Sequence, residues 1–197
     1  MSALPNASGK MTEAEYLAFE RDRIQTHEFL NGEIVAMSGA SAEHNTISGN
    51  TFALLWQQRR GGPCRVYGSD MCVRISNTHY TYPDISVVCG EPQIVHDGIV
   101  ALLNPALIIE VLSPSTERYD RGKKFQSYRE LESLQEYVLI AQDSPHIERY
   151  VRQEHGFWQF SDVADLAARI ELASINCALA LAEVYEQVIF LTEGDES

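Results

Sequence analysis

An α/β (α+β) sandwich around a mixed sheet is the fold class this sequence predicts, and three observations predict it. Helical and strand-like segments follow one another in the order α, strands, α, strands, α, strand. Two near-continuous apolar runs, 106–112 and 137–141, suit strands buried on both faces. Hydrophobic residues make up 45% of the 197, enough for a real core. One domain spanning 1–197 is therefore expected, with its core at about 12–152 and an acidic C-terminal extension at 153–197.

The elements follow in order. Thr12-Glu-Ala-Glu15 is a capping-box pattern that opens a short helix to about Arg21. Residues 27–37 predict two short strands turned at Asn31-Gly32. Ser41 can cap a longer helix to about Arg60, with Ile47, Phe52, Leu54, Leu55 and Trp56 as its apolar surface and Gly61-Gly62-Pro63 as its stop. Strands are expected at 64–67, 71–75 and 82–89, then a loop over 90–104. After the buried strand at 106–112, Ser113-Pro-Ser-Thr116 caps a helix over about 118–131. A strand at 137–141, a hairpin of 147–152 with 157–160 turned at His155-Gly156, a strand near 170–172 and a helix near 179–185 complete the prediction.

Composition excludes some classes. No run of roughly 18 apolar residues exists, so no membrane-spanning helix and no membrane partner is expected. Residues 1–10 lack an apolar signal core, which makes a cytoplasmic location the expectation. Cys64, Cys72, Cys89 and Cys177 form no CxxC pair or zinc-ribbon spacing and are read as small buried hydrophobes. The net charge of −13 is unevenly spread, because residues 130–197 hold 14 acids against 3 bases. Within 118–129 five bases face one acid. That local basicity permits nucleic-acid contact, while the global charge argues against tight non-specific binding.

Glu110 is the most informative residue. A carboxylate inside Leu-Ile-Ile-Glu-Val-Leu is costly to bury, by several kcal/mol, unless it is paired or bound to a cation. Asp84 follows Pro83 at the start of another apolar strand. Asp120, Lys124 and Tyr128 are spaced to share one helix face. Two carboxylates on successive core strands, followed by a helix lysine, supply hard oxygen ligands and a cationic group. That set suits Mg²⁺ or Mn²⁺ and phosphodiester chemistry. Glu28 and His44 are upstream candidates to support it.

At these residues the sequence resembles a known family. His-Glu-Phe-Leu-Asn-Gly-Glu-Ile-Val (27–35), His44, Tyr-Pro-Asp-Ile (82–85), Ile-Glu-Val-Leu-Ser-Pro-Ser-Thr (109–116), Asp120, Lys124, Tyr128 and Glu136-Tyr-Val recur in order. They look like the family of small bacterial proteins called putative restriction endonucleases, within the PD-(D/E)XK nuclease superfamily, over about residues 12–152. The resemblance implies a restriction-endonuclease-like core with a mixed central sheet flanked by helices, a divalent metal and nuclease-type active residues. It makes Asp84 the Asp of the PD element and Glu110 the D/E element. Leu112 stands where the superfamily has lysine. Lys124 on the following helix is the expected replacement, favoured over the adjacent Lys123 by its spacing from Asp120 and Tyr128.

The resulting expectation is metal-assisted hydrolysis. Asp84, Glu110 and the Val111 carbonyl hold Mg²⁺ or Mn²⁺, and Lys124 stabilises developing charge. Glu28, His44, Asp120 and Tyr128 support them, with Arg118, Arg121 and Lys123 as phosphate contacts on a DNA substrate. A homodimer would suit cutting of two strands. The alternatives are a catalytically inactive nucleic-acid-binding module of the same fold and a regulatory protein-interaction domain.

Overall fold

The capping box forms as read. In the computed structural model, which describes residues 10–37 and 39–190, Thr12 N donates to Glu15 Oε2 at 2.7 Å and Glu15 N donates to Thr12 Oγ1 at 3.3 Å. These bonds start α1 (Glu13–Glu20). The readings of residues 1–9 and of the acidic end at 191–197 lie outside the described residues.

Strands β1 (His27–Leu30) and β2 (Glu33–Ala36) make the expected hairpin. Its turn has φ of 51° at Asn31 and 89° at Gly32, which suits Asn-Gly. A Cβ at Gly32 would also lie 2.7 Å from Lys10 Cβ, so the turn needs glycine twice over. Ser41 caps α2 (Ala42–Arg59) by accepting from His44 N at 3.1 Å. Trp56 departs from expectation, since half of its surface is exposed and only Ile47, Leu55 and partly Phe52 and Leu54 face the core.

The remaining strands are β3 (Cys64–Gly68), β4 (Cys72–Ser76), β5 (His79–Thr81), β6 (Ile85–Cys89), β7 (Ile94–Asp97), β8 (Ile99–Leu102), β9 (Leu107–Leu112), β10 (Glu136–Ala141), β11 (Ile147–Arg152), β12 (Trp158–Val163), β13 (Arg169–Leu172) and β14 (Cys177–Ala180). Among the described residues they form two six-stranded mixed sheets and one hairpin. The first sheet runs β2-β1-β5-β4-β8-β7 and the second β12-β11-β10-β9-β6-β3. The pairs β4·β8 and β9·β10 are parallel.

Four expectations are corrected here. The loop over 90–104 contains the β7–β8 hairpin, turned at Asp97-Gly98 with φ of 84° at Gly98. The strand read over 82–89 begins only at Ile85, because Pro83 separates it from β5, which pairs in the other sheet. The helix expected near 179–185 is the end of β14 followed by α5 (Leu181–Val184). Cys64 and Cys89 face each other directly across β3 and β6 and are joined by a disulfide, whereas Cys72 and Cys177 are the buried free thiols. The bonded pair stands 25 positions apart in sequence, a separation that gave no clue to that register.

The helix expected over 118–131 is shorter and locally widened. It comprises α3 (Glu117–Tyr119), a π-helical turn (Asp120–Lys124) and α4 (Phe125–Tyr128). Single π turns inside α-helices are frequent at functional sites.

Side-chain alternation on β9 sorts the core into layers. Leu107, Ile109 and Val111 face α2, together with Ile170, Leu172 and Leu179 from the C-terminal hairpin. Residues 170–185 thus pack into the central core rather than trailing from it. Ile108 and Leu112 face the α3–α4 helix and β4 of the first sheet. Glu110, between them in sequence, falls on that same face. A third cluster, with Tyr16, Phe29 and Tyr80, packs α1 on the first sheet's far side.

Candidate active site

Register brings the two strand carboxylates together. Ile85 pairs with Ile109 across antiparallel β6 and β9, which sets Asp84 opposite Glu110. Asp84 Oδ2 accepts from Val111 N at 2.7 Å, fixing it to the strand that carries Glu110. Asp84 Oδ1 lies 2.8 Å from His44 Nε2, so the first turn of α2 orients the same carboxylate.

The α3–α4 helix brings its residues to the gap between the sheets. Lys124 Nζ lies 2.8 Å from Glu110 Oε1, 3.0 Å from Glu28 Oε1 and 3.7 Å from Asp120 Oδ1. Tyr128 donates to Glu110 Oε1 at 2.8 Å, and its hydroxyl lies 3.1 Å from Thr81 Oγ1. Tyr82 N donates to Glu28 Oε1 at 3.4 Å. Glu28, Glu110, Asp120 and Lys124 retain only 3–6% of their surface, so these are not surface ion pairs. The cluster opens toward solvent at Asp84 and His44, whose side chains are each 15% exposed.

Charge does not balance inside this cluster. Burial, reinforced by Asp120 and Asp84, pushes the Glu110 carboxyl up to about 8 despite the adjacent ammonium. Burial also raises Asp120 against the pull of Lys124. For Lys124 burial works against the charge, but Glu110, Glu28 and Asp120 outweigh it and hold the amine protonated. One ammonium is left to answer several carboxylates, so the site favours additional positive charge.

Every residue expected at the centre is in this cluster: Asp84, Glu110, Lys124, Glu28, His44, Asp120 and Tyr128. Lys123 is exposed, and Lys124 is the lysine that points inward. Arg118 is exposed, as expected of a surface contact. Arg121 instead donates to Glu148 at 2.7 Å and pairs with Glu117 at 3.1 Å, which largely satisfies its guanidinium. Two participants were missed. Thr81 is a fully buried hydroxyl against Tyr128. Tyr119 has a buried hydroxyl without a hydrogen-bond partner among the described residues, and Glu28, Asp120 and Glu110 add to burial in raising its pKa. Neither carried a sequence signal, since a lone Thr or Tyr beside apolar residues is ordinary.

The donor set is hard and oxygen-rich. Among the described residues no three His, Cys, Asp or Glu side chains converge as a ready-made metal cage. Mg²⁺, however, commonly uses one or two carboxylates and keeps several waters. Lys124 and Tyr128 both engage Glu110 through Oε1, leaving Oε2 without a hydrogen bond from the described residues. Asp84, Glu110 and a backbone carbonyl are therefore a chemically suitable set.

A mixed sheet with carboxylates on adjacent strands and a lysine from the following helix defines a nuclease-like fold. The chain belongs to the Uma2 family, described as "Putative restriction endonuclease", whose model matches residues 13–182. It is 36% identical to the uncharacterized protein slr1290 of Synechocystis sp. over 182 residues, covering 92% of this chain and 94% of that one. A second Synechocystis relative, the uncharacterized protein sll1609, is 36% identical over 164 residues, or 83% of this chain and 93% of its own. The fold is also that of the crystal structure of a putative nuclease belonging to DUF820 from Anabaena variabilis. That match has a TM-score of 0.73 at 19% identity and covers 91% of this chain and 99% of the other.

Proposed function

We propose that this chain is a metal-dependent endonuclease that hydrolyses phosphodiester bonds in DNA. The observation that carries the reading is Lys124 seated between Glu28 and Glu110, with Asp84 opposite Glu110 on the next strand. Held by Asp84, Glu110 and the Val111 carbonyl, Mg²⁺ or Mn²⁺ would supply Lewis-acid charge at the scissile phosphate. The chain's own residues do the rest. His44 and Val111 N orient Asp84, and Tyr128 orients Glu110. Lys124, kept protonated by its carboxylate neighbours, offers charge to the developing phosphorane. Glu28 and Asp120 hold that ammonium in place.

A nucleic-acid-binding module without catalysis is the second reading. It is favoured by the same ammonium, which already neutralises Glu28 and Glu110 without a metal.

Cleavage assays separate the two. Single-stranded, duplex and nicked DNA and RNA are incubated with Mg²⁺, with Mn²⁺ and with EDTA. Metal-dependent cutting that disappears in Asp84→Ala and Glu110→Ala, both still folded, supports hydrolysis. Intact substrates throughout, with measurable binding, leave the binding module. If two copies act on a duplex, sedimentation of the DNA complex should reveal a dimer.

A further inference from the structure

At the far end of α2 from His44 lies a concave pocket of about 430 Å³, lined by Trp56, Arg59, Arg60, Cys64, Arg65 and Tyr67. Three arginines and two aromatic rings in one pocket are unusual in a chain with 28 acids and 15 bases. Some cations elsewhere are matched with carboxylates, as for Arg74 with Glu13, Arg121 with Glu148 and Arg169 with Glu171. Among the described residues Arg60 and Arg65 make neither an ion pair nor a side-chain hydrogen bond. Arg60 lies over the Trp56 ring at 5.4 Å, and Trp56 remains half exposed. Arg59 is anchored by Nη1 donating to Ile175 O at 2.9 Å, while its buried Nε has no partner among the described residues.

The scaffold beneath is fixed. β3, which carries Arg65, is the outer strand of its sheet, and the Cys64–Cys89 disulfide ties it to β6. Gly61-Gly62 ends α2 and turns the chain from Arg60 into β3. From His44 to Arg59 the helix axis spans about 22 Å at 1.5 Å per residue. The solvent side of α2 over that length (Asn45, Gly49, Ala53, Gln57) is uncharged.

We propose that this pocket is a docking site for a single-stranded DNA segment, with a base stacking on Trp56 and phosphates meeting Arg60 and Arg65. An exposed indole ring beside unpaired guanidinium groups is what unstacked bases and their backbone require. A duplex offers no free base faces to such a ring. The assignment rests on the nuclease reading, in which the strand runs along α2 between this pocket and the carboxylate cluster.

The test is fluorescence anisotropy of 5′-fluorescein-labelled dT20 with the full chain in EDTA, where cleavage is suppressed. Trp56→Ala and the double variant Arg60→Glu/Arg65→Glu should each weaken binding tenfold or more. Charge-conserving Arg60→Lys/Arg65→Lys should keep most of the affinity, which controls for folding. The double Glu variant should flatten the log–log salt slope by about 1.4, for two lost single-strand phosphate contacts. Unchanged affinity in both Trp56→Ala and the double Glu variant overturns the proposal. So does wild-type protein that fails to bind dT20, or that prefers a 20-base-pair duplex without dependence on Trp56. Variant-sensitive binding by a protein that never cleaves would retain this site and remove the hydrolytic reading. Cleavage indifferent to these variants would do the reverse.

Discussion

The Lys124 ammonium lies 2.8 Å from Glu110 Oε1, with both side chains almost wholly excluded from water. Glu28 approaches the same ammonium from the other sheet at 3.0 Å, so a single cation bridges the two layers. Removing one partner from such a group strands the others in a low-dielectric site.

Lys124→Met should therefore destabilise the metal-free protein by about 3–5 kcal/mol at pH 9, above the raised Glu110 value of about 8. Urea denaturation in EDTA measures this. The loss should shrink at pH 5, well below that value, where Glu110 is already protonated. An effect under about 1 kcal/mol would mean that the ion pairs are solvated, as surface pairs are.

The pH dependence has a definite sign. Glu110 is raised in the folded protein to about 8 from the ordinary 4.5. The folded state thus binds more protons than the unfolded state between those values, and stability falls as pH rises through that window. Asp120 is shifted in the same direction. In metal-free buffer the stability difference between wild type and Glu110→Gln should move against wild type from pH 5 to pH 9. A difference independent of pH would contradict the raised carboxyl.

Tyr128→Phe removes the hydroxyl that serves both Glu110 and Thr81. At pH 9, where Glu110 is ionised, losing a hydrogen bond to this buried acceptor should cost about 1.5–3 kcal/mol in thermal or urea unfolding. Under the proposed function, activity should fall as well, because Glu110 loses the contact that orients it.

His44→Ala should weaken metal affinity or activity roughly 10- to 100-fold, the usual effect of removing a group that orients a ligand. His44→Gln, which can still donate to Asp84, should recover part of the loss. Metal titration of both variants checks the ordering.

Much of this site was legible because burial and charge conflict visibly at Glu110. An acid in Leu-Ile-Ile-Glu-Val-Leu has few reasons to be there. The Asp120, Lys124 and Tyr128 spacing also identified the inward helix face, although the π turn could not be read from it. Other parts were hidden for physical reasons. The β7–β8 hairpin had its Asp97-Gly98 signal, but neighbouring Gly90, Pro92, Asn104 and Pro105 made the whole stretch resemble a loop. β5 is only three residues long, and its allegiance to the first sheet is a tertiary fact. The disulfide depends on which strands pair, as does the burial of Thr81 and Tyr119 beside the cluster. The C-terminal third looked like an acidic extension because its charge is conspicuous, whereas its alternating apolar residues fill the core under α2.

Under the proposed function Asp84 and Glu110 together hold a divalent cation. Titrating Mn²⁺ into metal-free protein, followed by electron paramagnetic resonance of the free ion, tests it most directly. The prediction is about one Mn²⁺ per chain, displaced by excess Mg²⁺ and lost in folded Asp84→Asn and Glu110→Gln. Binding that persists unchanged in both variants, or no binding by wild type with or without DNA, would contradict it.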